Sequence, residues 1–249
     1  MVPPGRFELP PLPPEGSALS PELRGPKCVT RLPARSSLKR VNENWRATLR
    51  GLPVFRDDLP TFEAGSAPST PLELFDEWMS RAIDAGVEQP HAMTLATAAP
   101  AARTVILKNL DARGFWFASS SDSPKGRELD ADPRAALLFY WRELGRQVRV
   151  VGTVERGSPD ESAADFLERG VHARAGVIAG HQSEPVSAAE RDVDEALERA
   201  ESGEVSADWI AYVLRPETIE FWQASTTREH TRLRYKRLET GWTTDILVP

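Results

Sequence analysis

An antiparallel β-barrel with peripheral helices is the fold that this 249-residue sequence predicts, on three observations. Short β-rich runs follow one another closely from His91 to Val154, and again from Trp209 to Val248, with turn signals between them. Helical periodicity is confined to a few stretches, each opened by a capping sequence, which favours an antiparallel barrel over alternating βαβ units. With 40% hydrophobic and 27% charged residues, the chain supplies one substantial core and shows no internal repeat.

Residues 1–40 stand apart from the rest. Met1 to Pro14 hold six prolines, and the polar, basic stretch ending at Ser36–Arg40 has neither helical nor strand period. Disorder is expected there, from a start site placed too far upstream, with the folded domain over residues 41–249. The segment lacks the apolar stretch of a secretory signal. Thr70-Pro71-Leu72-Glu73 then opens a helix with a capping Thr, Pro at the first helical position and Glu three residues past the cap. Leu74, Phe75, Trp78, Met79, Ala82 and Ile83 repeat at helical spacing, and Gly86 ends the run.

Strands are expected at His91–Thr97, Arg103–Lys108 and Gly114–Ser119, the last entered through the turn Asp111–Gly114. A short helix at Lys125–Leu129 precedes strands at Arg134–Trp141 and Arg146–Val154. Ser158-Pro159-Asp160-Glu161 opens a helix ending near Gly170, and Ser187-Ala188-Ala189-Glu190 opens another ending near Gly203. Strands return at Trp209–Arg215, Thr218–Gln223, Arg232–Arg237 and Trp242–Val248.

Composition excludes several function classes. A net charge of −6 argues against nucleic-acid binding through bulk electrostatics. No apolar run approaches the roughly 18 residues of a membrane span. The single cysteine, Cys28, leaves no intramolecular disulfide and fits a reducing cytoplasm. The four histidines lack ligand spacing, so no metal site is expected.

What remains is local cationic chemistry. After Phe221-Trp222-Gln223, the residues Arg228, His230 and Arg232 alternate, so an extended segment would turn all three to one face. A cationic stripe beside a tryptophan suits an anionic aromatic ligand; equally, charge protects a solvated edge strand. Arg103 and Lys108 bracket one strand. Ser119 to Ser123 and Lys125 place hydroxyls, a helix start and a cation together, the parts of a phosphate cradle, although serine caps helices more often. Gln147 and the pair Gln182-Ser183 suit the edges of a heterocycle or a plain polar surface. No nucleophile elbow, Walker loop or catalytic triad is present, and Glu220 and Glu229 have no evident cleft. Ligand binding without an acid–base pair points to a cofactor that carries the chemistry.

From about Pro71 to Pro249 the chain resembles the pyridoxamine/pyridoxine 5′-phosphate oxidases. The matching blocks are RTVILK (Arg103–Lys108), KGREL (Lys125–Leu129), ADPRAALLFYW (Ala131–Trp141), ELGRQVRVVG (Glu143–Gly152), IEFWQ (Ile219–Gln223) and RxHxRxRY (Arg228–Tyr235). The resemblance implies an FMN-binding split barrel that forms a homodimer with FMN at the subunit interface. It assigns FMN binding to Arg103, Thr104, Val105, Ile106, Leu107, Lys108, Ser119, Lys125, Gln147, Gln182, Ser183, Trp222 and Arg232. Lys108, Arg169, Arg228 and His230 would hold a phosphorylated pyridine, with Arg228 and His230 as the catalytic pair and molecular oxygen as acceptor. Asp165 and Ala173 stand where the family has a tyrosine and a serine on the substrate phosphate, and Pro124 replaces an arginine before the cradle lysine. These departures leave open an oxidase of another aromatic, such as a phenazine precursor, or a flavin- or pyridoxal-phosphate-binding protein of little turnover.

Overall fold

The computed structural model describes residues 45–56, 58–180, 182–185 and 192–249. The expected tail at 1–40 and the capping box at Ser187–Glu190 lie outside them. Contacts divide the chain at Leu52/Pro53. Before that boundary the described part is helix α1 (Trp45–Arg50), which has no buried residue.

The second unit is built on a 9-stranded antiparallel sheet. Its elements are α2 (Pro71–Asp84), β1 (Ala92–Thr97), β2 (Ala102–Ile106), β3 (Asn109–Asp111), β4 (Gly114–Ser120), α3 (Pro124–Ala131), β5 (Arg134–Trp141) and β6 (Arg146–Arg156). Then follow α4 (Pro159–Leu167), α5 (Val171–Ile178), α6 (Val193–Glu201), β7 (Trp209–Gln223), β8 (Thr231–Arg237) and β9 (Trp242–Ile246). The strand order is β2-β1-β5-β6-β7-β4-β3, with β8 on β7 and β9 on β8. Both ends of that order belong to one stretch of chain, because β2 runs into β3 through Leu107 and Lys108. The Leu107 amide bonds the His91 carbonyl at 2.9 Å and the Lys108 amide bonds the Trp116 carbonyl at 2.8 Å. The sheet therefore curls back on itself as a split barrel.

Alternation explains what fills it. Val148, Phe221 and Leu233 face one another across β6, β7 and β8 and are fully or nearly buried. Against this inner face α2 lays Leu74, Phe75, Trp78 and Ala82. Phe75 meets Phe115 at 4.8 Å and Phe139 at 4.9 Å, and Trp78 meets Phe221 at 5.2 Å, all edge-on as aromatic quadrupoles prefer. Arg146 is buried among them with its guanidinium 4.2 Å over Trp78 and its Nε bonded to Gln223, and burial pushes it down to about 10.

Four expectations are corrected. The runs Trp209–Arg215 and Thr218–Gln223 form one 15-residue strand, β7, which carries an extra residue, Glu217, as a bulge opposite the Val151/Gly152 step of β6. A Cβ on Gly152 would lie 2.0 Å from the Arg215 carbonyl oxygen, so only glycine admits that approach. The helix opened by Ser158 stops at Leu167, and a second helix, α5, follows at Val171. The Arg103–Lys108 strand ends at Ile106, and Asn109–Asp111 pairs separately with β4. Finally, Arg228, His230 and Arg232 share no strand: Arg228 has φ +68° in a turn and β8 begins only at Thr231.

Candidate functional site

A cleft of about 650 Å³ opens beside β4, between the end of β2, the start of α3 and helix α5. Thr104, Val105 and Ile106 line it from β2, followed by Lys108; Ser119 and Ser120 line it from β4. Lys125 enters from the first turn of α3, whose cap is Ser123: the Ser123 hydroxyl accepts the Gly126 amide at 3.2 Å. Gly126 lets this turn fold onto the loop, since a Cβ there would lie 2.3 Å from the Ser121 carbonyl oxygen. The Lys125 ammonium donates to Ser123 Oγ at 3.2 Å and Gln182 Oε1 at 3.3 Å. Burial, with Arg103 nearby, holds that ammonium below its ordinary value. An anion in the cleft would offset both effects. Gln182, Ser183 (φ +71°) and Arg169 complete the expected residues on these walls.

Beside the cleft, side chains from separate parts of the chain interlock. Asp165, on α4, accepts the Trp209 indole N–H at 2.8 Å and lies 3.6 Å from the Lys108 ammonium. The Arg169 guanidinium stacks 4.0 Å over the Trp209 ring. Burial lowers Arg169 from its ordinary value and Asp165 partly restores it. The Arg169 Nε is buried without a hydrogen-bond partner, a donor that an anionic ligand would satisfy.

The remaining expected residues lie elsewhere. Arg103 bonds Glu128 at 2.7 Å, and Leu107 packs against the core. Gln147, Trp222 and Arg232 face one another across β6, β7 and β8, so they form a row on one face of the sheet. Arg232 is tied to Glu220 at 2.8 Å, and Glu220 also bonds Arg149 at 2.5 Å. His230 packs against Trp222 in a tilted arrangement with centroids 4.7 Å apart, and Phe55 closes on both rings at 5.9 and 6.0 Å. None of Gln147, Trp222, Arg228, His230 or Arg232 lines the cleft. Trp209 and Trp222 stand near opposite ends of β7, up to about 40 Å apart along a straight strand.

Sequence reasoning missed Trp209, Phe55 and most of the α5 wall, where Gly176, Val177 and Gly180 line the cleft beside the expected Ala173. The small-residue run Ala173–Gly180 was the available signal for close approach.

Comparison with known proteins decides the family. Residues 79–223 match the family model for pyridoxamine 5′-phosphate oxidase, and residues 209–249 match its companion, the pyridoxine 5′-phosphate oxidase C-terminal dimerisation region. The chain belongs to the pyridoxamine 5′-phosphate oxidase family. It is 44% identical over 192 residues to a pyridoxine/pyridoxamine 5′-phosphate oxidase of Bordetella petrii, covering 74% of this chain and 91% of the relative. A Rubrobacter xylanophilus protein of the same name is 45% identical over 196 residues, covering 75% and 90%. Among solved structures, PhzG from Burkholderia lata, in complex with tetrahydrophenazine-1-carboxylic acid, is 32% identical with a TM-score of 0.69, covering 77% of this chain and 98% of that one. This family of oxidases makes the chain an oxidoreductase. The donor set of the cleft fits FMN: a half-buried lysine, hydroxyls, a helix start and an orphaned arginine Nε suit its phosphate and ring edges.

Among the described residues no helix is long and apolar enough to cross a membrane, and no cluster of ligating side chains could hold a metal.

Proposed function

We propose that this chain oxidises pyridoxamine 5′-phosphate or pyridoxine 5′-phosphate to pyridoxal 5′-phosphate, in the cytoplasm, as a homodimer. The observation that carries the reading is the cleft in which Lys108, Lys125 and Arg169 converge with Ser119, Gln182 and Ser183. FMN is the cofactor; bound here it would supply the hydride acceptor for oxidation at the substrate C4′ carbon, with molecular oxygen as final acceptor giving hydrogen peroxide and, for the amine, water releasing ammonia from the resulting imine.

Thr104, Val105, Ile106 and Lys108, with Ser119, Lys125, Gln182 and Ser183, hold FMN on one side, while Arg103 and Leu107 brace the segment through Glu128 and the core. Lys108 and Arg169 attract the substrate phosphate by charge and directed N–H donors. Gln147, Trp222 and Arg232 complete the flavin site, and Arg228 and His230 orient the substrate, where orientation supplies much of the rate. These residues stand away from the cleft of their own chain, so a second copy brings them to it. The match to a dimerisation region over residues 209–249 supports this arrangement.

One observation favours a second reading. Asp165 offsets one of the cations beside it, Lys108 or Arg169, so this end suits a monoanion better than a phosphate dianion. A carboxylated aromatic, the ligand class of the PhzG structure, fits that charge. Anaerobic mixing of the FMN-loaded protein with pyridoxamine 5′-phosphate separates the two, read at the flavin band near ~450 nm. Rapid bleaching with pyridoxal 5′-phosphate formed is the expected result. A flavin that stays yellow with this substrate but bleaches with a carboxylated aromatic establishes the second reading. One inert to both leaves a binding protein of little turnover.

A further inference from the structure

We infer that Ser225 is a positioning residue that holds His230 in a single tautomer, with its proton on Nε2, so that His230 meets its ligand as a hydrogen-bond donor and not as a base. The inference rests on the substrate-side role given to His230 above.

Four contacts converge on Ser225. Its backbone N–H donates to His230 Nδ1 at 3.0 Å. A nitrogen that accepts this bond carries no proton, so in the neutral ring the proton sits on Nε2. The Ser225 carbonyl accepts the Arg228 amide at 3.1 Å. Its hydroxyl accepts the Thr227 amide at 3.2 Å and shares a 2.7 Å bond with the Thr227 hydroxyl. Together these define the turn in which Arg228 takes φ +68°, a left-handed conformation that a non-glycine residue keeps only where its surroundings fix it.

The ring is also confined sideways. Trp222 packs on one side, tilted at 48° with centroids 4.7 Å apart, and Phe55 meets the ring edge-on at 5.9 Å. The adjoining strand end is pinned, since the Ala224 amide bonds the Gly145 carbonyl at 2.8 Å and the Gln223 amide group bonds the Leu144 carbonyl at 3.0 Å. With Nδ1 engaged and both flanks covered, Nε2–H is the polar group left to reach a ligand. A donor there stabilises negative charge on an electronegative substrate atom; it takes no proton while the Ser225 bond stands.

The test is nitrogen-15 NMR of the FMN-loaded full-length protein, with the His230 signals assigned by their loss in His230→Gln. Long-range couplings should show His230 Nδ1 unprotonated and Nε2 protonated. Ser225→Ala, which keeps the backbone N–H, should leave that pattern unchanged. Ser225→Pro, which removes the N–H, should release the ring into a mixture of tautomers and lower kcat on the order of tenfold, the worth of one oriented hydrogen bond. A wild-type proton on Nδ1 overturns the inference, and that measurement stands even if Ser225→Pro does not fold. The spectra need no turnover, so a failure of the oxidase reading and a failure of the tautomer lock are separately visible. Activity adds a check: His230→Gln, which keeps a donor, should outperform His230→Leu, and equal loss in both contradicts a donor role.

Discussion

The two ends of β7 carry the same kinds of side chain, a tryptophan beside arginines, and use them differently. At Trp209 the partners come from far along the chain: Asp165 and Arg169 meet the indole, and Lys108 pairs with Asp165. At Trp222 most partners are local, because a six-residue return brings His230 onto the ring and the turn is held by Ser225. The first end is a charge cluster whose geometry depends on how α4 packs against the barrel. The second is a preorganised loop on a strand end. Binding strength is expected to depend on the first and substrate orientation on the second.

The change with the largest expected effect breaks both ends together. Phe75→Ala removes the ring that joins α2 to β4 and β5, and should cost about 3–5 kcal/mol of stability. Denaturant melts would show it, with flavin retention and turnover falling in step. Arg228→Ala should divide the ends, lowering kcat/KM on the order of 10²-fold through lost orientation while FMN is retained. Equal loss of flavin and turnover would place Arg228 at the flavin instead. Lys125→Ala should do the converse, raising the FMN dissociation constant by about tenfold to a hundredfold, as loss of a charged hydrogen bond implies. Flavin fluorescence titration measures it, and an unchanged constant removes Lys125 from the phosphate site.

Asp165→Tyr is a finer probe of the charge cluster. Freeing Lys108 from its acid should lower the apparent KM for phosphorylated substrate several-fold, roughly the effect of one screened charge at about 4 Å. No change in KM would mean that the carboxylate does not sense the ligand. The smallest effect is expected at Glu128, whose carboxyl is held below its ordinary value by the Thr97 hydroxyl and then Arg103. A lowered folded value gives stability above the ordinary carboxylate range, lost as pH falls through the folded value. Glu128→Gln should therefore cost under about 1 kcal/mol at neutral pH and flatten the acid limb of a melting-temperature profile.

Much of this was legible beforehand, for identifiable reasons. The capping pattern at Thr70–Glu73 and the apolar spacing of Leu74, Phe75 and Trp78 describe α2 as found. Alternation in Arg134–Trp141 likewise marks β5. The hydroxyl-rich start of α3 was legible as a capped helix with a lysine in its first turn, because the residues that cap a helix are adjacent in sequence. Pro216-Glu217 conceals a bulge opposite Gly152 that lets two apparent strands run on as one, and nothing local distinguishes such a pair from a turn. The stripe of Arg228, His230 and Arg232 misled because alternation implies one face only on a strand, and Arg228 occupies a turn.

The sequence by itself determined the barrel class, the helices opened at Thr70 and Ser158 and the family blocks, since each depends on residues within a few positions of one another. Only the tertiary structure decided that Asp165 faces Lys108 and Trp209, that Phe55 closes on His230, and that the two residue clusters stand at opposite ends of β7. Those placements follow from sheet register and helix packing over long sequence separations, which local pattern does not encode.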